Sequence, residues 1–285
     1  MAFVYEKLMG LEVPEVEHRY TQRDTMLYAL GVGLGADPLD EAQLPFVYEE
    51  RLKMLPTMPV VLGYPGSWSR TMNTGINYLK VVHGEQSLQI HKLPPPEGTL
   101  LGRTKVIGIV DKGADKGALI YLERKVVDKA TGELLCTLNS TTFARGDGGY
   151  GGPSSPVREP REMPGGKPDL ACDLPTLPQA ALVYRLSGDY NPLHSDPKTA
   201  KAAGFPRPIL HGLCTFGVAG HALLKTVCGY DPLRLTRMEA RFSSPVFPGE
   251  TIRTELWRKG KAVFFRASAV GRDAVVLDNG YAEIA

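Results

Sequence analysis

The chain has 285 residues, of which 43% are hydrophobic and 22% charged, and a formal net charge of +2. That balance belongs to a soluble folded protein with material for a sizeable core, and it excludes a disordered or fibrous chain. So small a net charge offers no long-range field to nucleic acid or an anionic membrane surface, although a local basic pocket for one polyanionic ligand is compatible with it.

In chain order, the opening "MAFVYEKLMG" places Glu6 and Lys7 before any apolar run develops, so no signal peptide is expected. No stretch reaches the ~20 apolar residues of a membrane span. "TQRDTMLYALGVG" reads as a short helix with a glycine stop. The "GVGLG" that overlaps its end follows a helix-like segment, not a strand, and is no dinucleotide loop. Residues 71–82 look mixed. "HGEQSLQIHKLPPPEG" then leads into three strand-like runs, "TKVIGIVDKG", "ALIYLERKVVD" and "LLCTLNSTTFARG". Within the second run, "LERKVVDK" reads as a solvated strand edge.

"RGDGGYGGPSSPVREPREMPGGKP" (145–168) is dense in Gly, Pro and Ser and has hardly any aliphatic residue. Such a stretch cannot bury a core and marks a linker or crossing loop. "GDGGYGG" lacks the Lys-Ser/Thr of a phosphate loop. The expected division is therefore 1–145, a linker at 146–168, and 169–285.

The second part begins with "TLPQAALVYRLSG", where Thr176 would cap a helix with Ala180, Val183 and Leu186 on its apolar face and Gly188 as its stop. After a short loop, "HGLCTFGVAGHALLKTVCG" spaces Leu213, Phe216, Gly220, Leu223 and Val227 helically. Its flanks carry Gly217, Ala219 and Ala222, so this helix is expected to be enclosed on most sides. Four strand-like runs follow: "LTRMEARFSSPV", "TIRTELWRKG", "AVFFRASAV" and "AVVLDNGYAEI". Both parts carry a His-Gly pair ahead of a run of strands, His83-Gly84 and His211-Gly212, which hints at duplication. The four cysteines form no CxxC pair and no zinc-like spacing, the C-terminal "YAEIA" is no peroxisomal tripeptide, and a reduced, cytoplasmic setting is expected.

The chemistry concentrates in "LSGDYNPLHSDP" (186–197). Asp189 and His194 form an acid/base pair on a loop stiffened by Pro192, able to hold one water and exchange protons with it. The same pattern is also that of a plain Asx turn, with Asp or Asn capping backbone amides. Gly212 opens the enclosed helix, so its N–H is an unpaired donor that a carbonyl oxygen could approach closely, as in an oxyanion hole. It is equally an ordinary helix start. His211 and His221 do not share a helical face and no HExxH occurs, so no metal site is expected.

"YRLSGDYNPLHSDPKTAKAAGFPRPILHGLCTFG" closely resembles the signature of the (R)-specific enoyl-CoA hydratase 2 group of MaoC-like dehydratases, which includes the hydratase unit of peroxisomal multifunctional enzyme type 2. "EARFSSPVFPGETIRTELW" extends the likeness, and "YALGVG", "VVHGEQSLQIHKLPPPEG" and "VDKGADKG" resemble the double-length members. The resemblance implies an α+β, double hot-dog fold, each half an antiparallel sheet around one long central helix. It implies that the C-terminal half is catalytic and that the N-terminal half, which has no GDxNPxH, binds acyl-CoA; Asp37-Pro38 would be a degenerate remnant of that loop. Carried over by residue, Asp189 and His194 would activate and orient water, Asn191 would position them, and the Gly212 amide would receive the thioester oxygen. His83, Gly84, Lys112, Tyr190, Pro192, Leu193 and Phe242 fall at positions that contact acyl-CoA, and an ammonium such as Lys112 suits a CoA phosphate. The implied reaction is reversible hydration of trans-2-enoyl-CoA to (3R)-3-hydroxyacyl-CoA in fatty acid metabolism, with no metal or redox cofactor, no nucleic acid or membrane partner, and a homodimer as the expected assembly. The competing readings are a dehydratase for carrier-protein-linked, branched or ring-bearing acyl groups, and a non-catalytic acyl-CoA-binding module.

Overall fold

Alternation of inward apolar and outward polar residues gives the chain its strands. In the computed structural model, which describes residues 3–157 and 159–285, ten strands form one antiparallel sheet. Arg158, inside the expected linker, lies outside the described residues. The strands are β1 (Val16–Tyr20), β2 (Val81–Ile90), β3 (Gly98–Asp111), β4 (Ala118–Asp128) and β5 (Leu134–Ala144), then β6 (Leu170–Pro175), β7 (Leu235–Phe242), β8 (Thr251–Lys259), β9 (Ala262–Ala269) and β10 (Ala274–Ile284). Their spatial order is β1-β3-β4-β5-β2-β7-β10-β9-β8-β6. Strands from the two parts of the chain meet at one seam, where β2 pairs with β7 from Glu85 opposite Arg241 to Gln89 opposite Arg237.

The helices are α1 (Tyr5–Met9), α2 (Gln22–Gly31), α3 (Leu44–Val47), α4 (Trp68–Thr71), α5 (Ala180–Tyr184), α6 (Pro197–Ala202) and α7 (Gly212–Thr226). α7 is the enclosed helix the sequence predicts: every residue from Cys214 to Leu224 is buried. Its small residues set how closely it is approached. A Cβ on Gly217 would stand 2.6 Å from Val32, and one on Gly220 would stand 2.4 Å from Thr57. The first part of the chain therefore packs onto the helix of the second, through the end of α2 and the segment near residue 57. Cys214 Sγ donates to the Gly31 carbonyl at 3.4 Å across the same contact. An antiparallel sheet wrapped about a buried helix, with strands from both parts joined edge to edge, is the double hot-dog arrangement.

Four details depart from the sequence reading. Among the described residues, only the C-terminal half has a long central helix. Between β1 and β2 the helical material is the ten-residue α2 and short turns such as Met58–Val60, because Pro45, Pro56, Pro59 and Pro65 interrupt the chain there. Thr176 does not cap a helix: its hydroxyl donates to the Glu250 carbonyl at 2.8 Å and accepts the Gly249 N–H, and the helix starts later, at Ala180. "LERKVVDK" is not a solvated edge, since β4 lies between β3 and β5 and Arg124 is only 8% exposed. The two His-Gly pairs are not equivalents either, because His83-Gly84 sits within β2 and His211-Gly212 begins α7.

Candidate active site

α5 tightens into a 3-10 turn at Arg185–Ser187 and stops at Gly188, whose φ of 116° lies in the left-handed region that glycine enters without strain. The reversal delivers Asp189. Asp189 Oδ1 accepts the Asn191 N–H at 3.1 Å, and Asn191 Oδ1 accepts the Leu193 N–H at 3.1 Å. Pro192 opens a second 3-10 turn, Pro192–His194, and Asp196 caps α6 through the amides of Lys198 and Thr199. The Asx turns are therefore present, and they fix where the acidic and basic side chains point. Asn191 holds the carboxylate through its backbone N–H, while its side-chain oxygen is spent on the turn.

His194 is 9% exposed, and its Nδ1 lies 2.9 Å from the Ile209 carbonyl. A carbonyl only accepts, so in the neutral ring Nδ1 carries the hydrogen and Nε2 keeps its lone pair. By the same logic His211 Nε2, 3.1 Å from the Asp189 carbonyl, is the protonated nitrogen, and its Nδ1 is a buried acceptor without a partner. The two imidazoles stack with centroids 3.7 Å apart. Burial lowers both pKa values; the proximity of His194 depresses His211 further, and the Asp189 charge opposes both shifts. Both rings are therefore neutral at pH 7. One ligand atom from each of Asp189, His194 and His211 lies within 4.8 Å of the others, a span that a single water can bridge. The same groups are close enough to share a cation, since His194 Nε2 and His211 Nδ1 both keep their lone pairs.

Gly212 sits beside this cluster as the first residue of α7. The amides of Cys214 and Thr215 bond the His211 carbonyl, and the Gly212 N–H precedes the first intrahelical bond. A Cβ on Gly212 would lie 3.2 Å from the Phe242 ring, and that ring lies 4.7 Å from His83. The His-Gly pairs, unequal in fold, thus converge on the two sides of Phe242. Gly84 occupies a β-bulge against β5, which re-aims His83. His83 Nε2–H donates to the Glu85 carbonyl at 3.0 Å, and burial drives its pKa down to about 4. Tyr64 keeps 40% of its surface accessible, yet burial raises its pKa and the Asp189 charge adds to the rise. We take Asp189, His83, Phe242 and Tyr64 as the walls of a candidate cleft, because Tyr64 and His83 feel the Asp189 charge and His83 packs on Phe242.

The whole of this loop and helix falls within residues 160–279, which match the MaoC like domain, and residues 18–146 match the MFE-2 hydratase 2 N-terminal domain. The peroxisomal enoyl-CoA hydratase 2 of Arabidopsis thaliana is 39% identical over 99% of this chain and 96% of its own length. The 3-hydroxyacyl-thioester dehydratase Y of Mycobacterium tuberculosis is 42% identical over 93% of this chain and 92% of its own. The crystal structure of a MaoC-like dehydratase from Phytophthora capsici superposes with a TM-score of 0.87 at 38% identity, covering 98% of both chains. The chain belongs to the MaoC-like, hydratase 2 family.

The remaining expected positions lie farther out. Tyr190 is 58% exposed, with the Arg185 guanidinium 4.8 Å over its ring; Pro192 is exposed and Leu193 half-buried. Lys112 is exposed just past the end of β3, at the same end of the sheet as His83. Three strand steps, about 14 Å at the usual spacing, separate its strand from β2. Asp37 caps the Leu39 amide in an exposed surface turn and takes no part in the cleft. Sequence reasoning weighed His211 only as half of a His-Gly pair and as a metal ligand, read Arg124 as part of a solvated edge, and passed over Tyr64. For Arg124 the signal was present in the alternation of β4.

Proposed function

We propose that this chain hydrates trans-2-enoyl-CoA thioesters to (3R)-3-hydroxyacyl-CoA and catalyses the reverse dehydration. The observation that carries this reading is the cluster of one carboxylate and one imidazole, with its Nε2 lone pair fixed, beside the free amide of a helix start. In the proposed mechanism Asp189 and His194 hold the water between them. One of them takes a proton from the water as its oxygen bonds Cβ, and that same proton is then delivered to Cα, so both groups end in the protonation state in which they began. The Gly212 N–H donates to the thioester oxygen while negative charge collects there as an enolate. A preorganised donor of that kind is typically worth ~3 kcal/mol, and positioned acid/base groups a further factor of roughly 100 to 10,000. Adding water transfers no net electrons between substrate and enzyme, so the reaction calls for no redox cofactor, and we expect no metal.

In this reading the C-terminal half, 169–285, carries the chemistry and the N-terminal half, 1–145, binds the thioester across the 146–168 linker. His83 and Phe242 flank the reacting segment, with Gly84, Tyr190, Pro192 and Leu193 nearby, and Lys112 meets a CoA phosphate. No helix among the described residues is long and apolar enough to cross a membrane. Four free, buried cysteines suit the reducing, cytoplasmic compartment we expect. We also expect a homodimer, which light scattering would detect. The deciding experiment follows loss of the enone absorbance of crotonyl-CoA and of a longer enoyl-CoA, with stereochemical analysis of the product. The (3R) alcohol is the expected product. No turnover, or the (3S) product, would overturn the proposal.

A further inference from the structure

The inward positions of β4 are Ala118, Ile120, Leu122, Arg124 and Val126, four apolar side chains and one guanidinium. Arg124 Nη2 donates to the Val60 carbonyl at 2.6 Å, and its buried Nε has no hydrogen-bond partner. Among the described residues no carboxylate forms an ion pair with it. The groups that feel its charge are Tyr64, Cys136, His18 and His83. The Tyr64 ring lies 5.3 Å from its guanidinium carbon, and the same Tyr64 and His83 feel the charge of Asp189. Arg124 therefore stands beneath the partly exposed Tyr64 ring, which Asp189 of the other half also approaches. An arginine does not shed its proton at neutral pH, and a cation held out of water without a counter-ion is one of the least favourable occupants of a core. The apolar series of β4 offers no reason to place one there.

We propose that Arg124 is the receptor for a carboxylate at the far end of the acyl group, so that enoyl-CoA thioesters ending in a carboxylate are favoured over hydrocarbon chains of equal length. The inference rests on the hydratase reading above. The buried Nε–H is the donor without a partner, and a substrate carboxylate would supply the missing negative charge in a site shielded from water, where charge-assisted hydrogen bonds are strongest.

The test compares kcat/KM for trans-2-enoyl-CoA substrates with their ω-carboxy analogues over a series of chain lengths, using the full chain. Wild type is expected to favour the ω-carboxy thioester roughly tenfold or more at the length that reaches Arg124. Arg124→Met should bring the ratio close to one, mainly through KM, and Arg124→Lys should keep part of it. Equal wild-type rates for the two series at every length, or a proportional loss for both in Arg124→Met, would overturn the inference and identify Arg124 as a strut for Val60. Calorimetry of wild type with saturated acyl-CoA and its ω-carboxy analogue keeps the question open to refutation if Arg124→Met does not fold. Absence of turnover with any thioester is a different failure, that of the hydratase reading.

Discussion

His194 and His211 lie face to face in a site that cannot hold two positive charges, and each has one nitrogen committed to a backbone carbonyl. Neutral His194 is the form that can accept a proton. Because burial holds its pKa below 6.5, kcat/KM should be level near neutrality and fall only on the acid side of 6.5 as the base protonates. A pH–rate profile whose acid limb lies at 7 or above would contradict this assignment. Asp189→Asn and His194→Ala should each lower turnover by at least ~100-fold while far-ultraviolet circular dichroism stays that of the wild type. The Asp-Asn-His spacing was legible in the sequence, and the turn and site readings of it prove to be one arrangement. His211 was not legible as part of the cluster. Its relation to His194 comes from Ile209 and Asp189 carbonyls that only the folded loop brings within reach.

At the scale of the element, α7 separates two kinds of glycine. Gly220 faces Thr57 at a distance no Cβ fits, so Gly220→Ala should lower stability by about 1–3 kcal/mol, read as a lower Tm. Gly212 meets only the Phe242 ring, which can yield by a few tenths of an ångström. Gly212→Ala should therefore leave Tm nearly unchanged and reduce kcat/KM roughly tenfold or more by displacing a wall of the cleft. If the two substitutions swapped effects, the placement of the cleft at the start of α7 would be wrong. The helix itself was readable from its spacing and its small residues. The N-terminal half was harder to read, because prolines between residues 45 and 65 break the helical period into short turns that burial, rather than pattern, holds in place.

For the whole molecule, the seam between β2 and β7 and the packing of α2 and Thr57 on α7 tie both halves to one core. Residues 160–285 expressed alone should therefore aggregate or bind a hydrophobic dye, and the full chain should unfold in one cooperative transition. A soluble, folded fragment would show that the halves are independent. The buried imidazoles of His83 and His221, like that of His211, have folded pKa values depressed by desolvation, the first two to about 4. Above 6.5 these groups are neutral in both folded and unfolded chains. As pH falls from 6.5 towards 4 the unfolded chain binds protons that the fold refuses, so stability drops by up to about 1.4 kcal/mol per pH unit for each histidine. Chemical denaturation at pH 7, 6 and 5 would check the slope; stability that rises on acidification would refute it.

By itself the sequence determined seven of the ten strands, the enclosed helix and the identity of the polar groups on the 188–196 loop, because each is set by residues near in the chain: alternation, helical spacing, and turn chemistry at Gly188 and Pro192. Tertiary structure alone decided which of those groups share a space. It stacked His211 on His194, set Phe242 between His83 and Gly212, and brought Tyr64 over Arg124. Contacts between strands and helices far apart in the chain leave no period in the sequence to read.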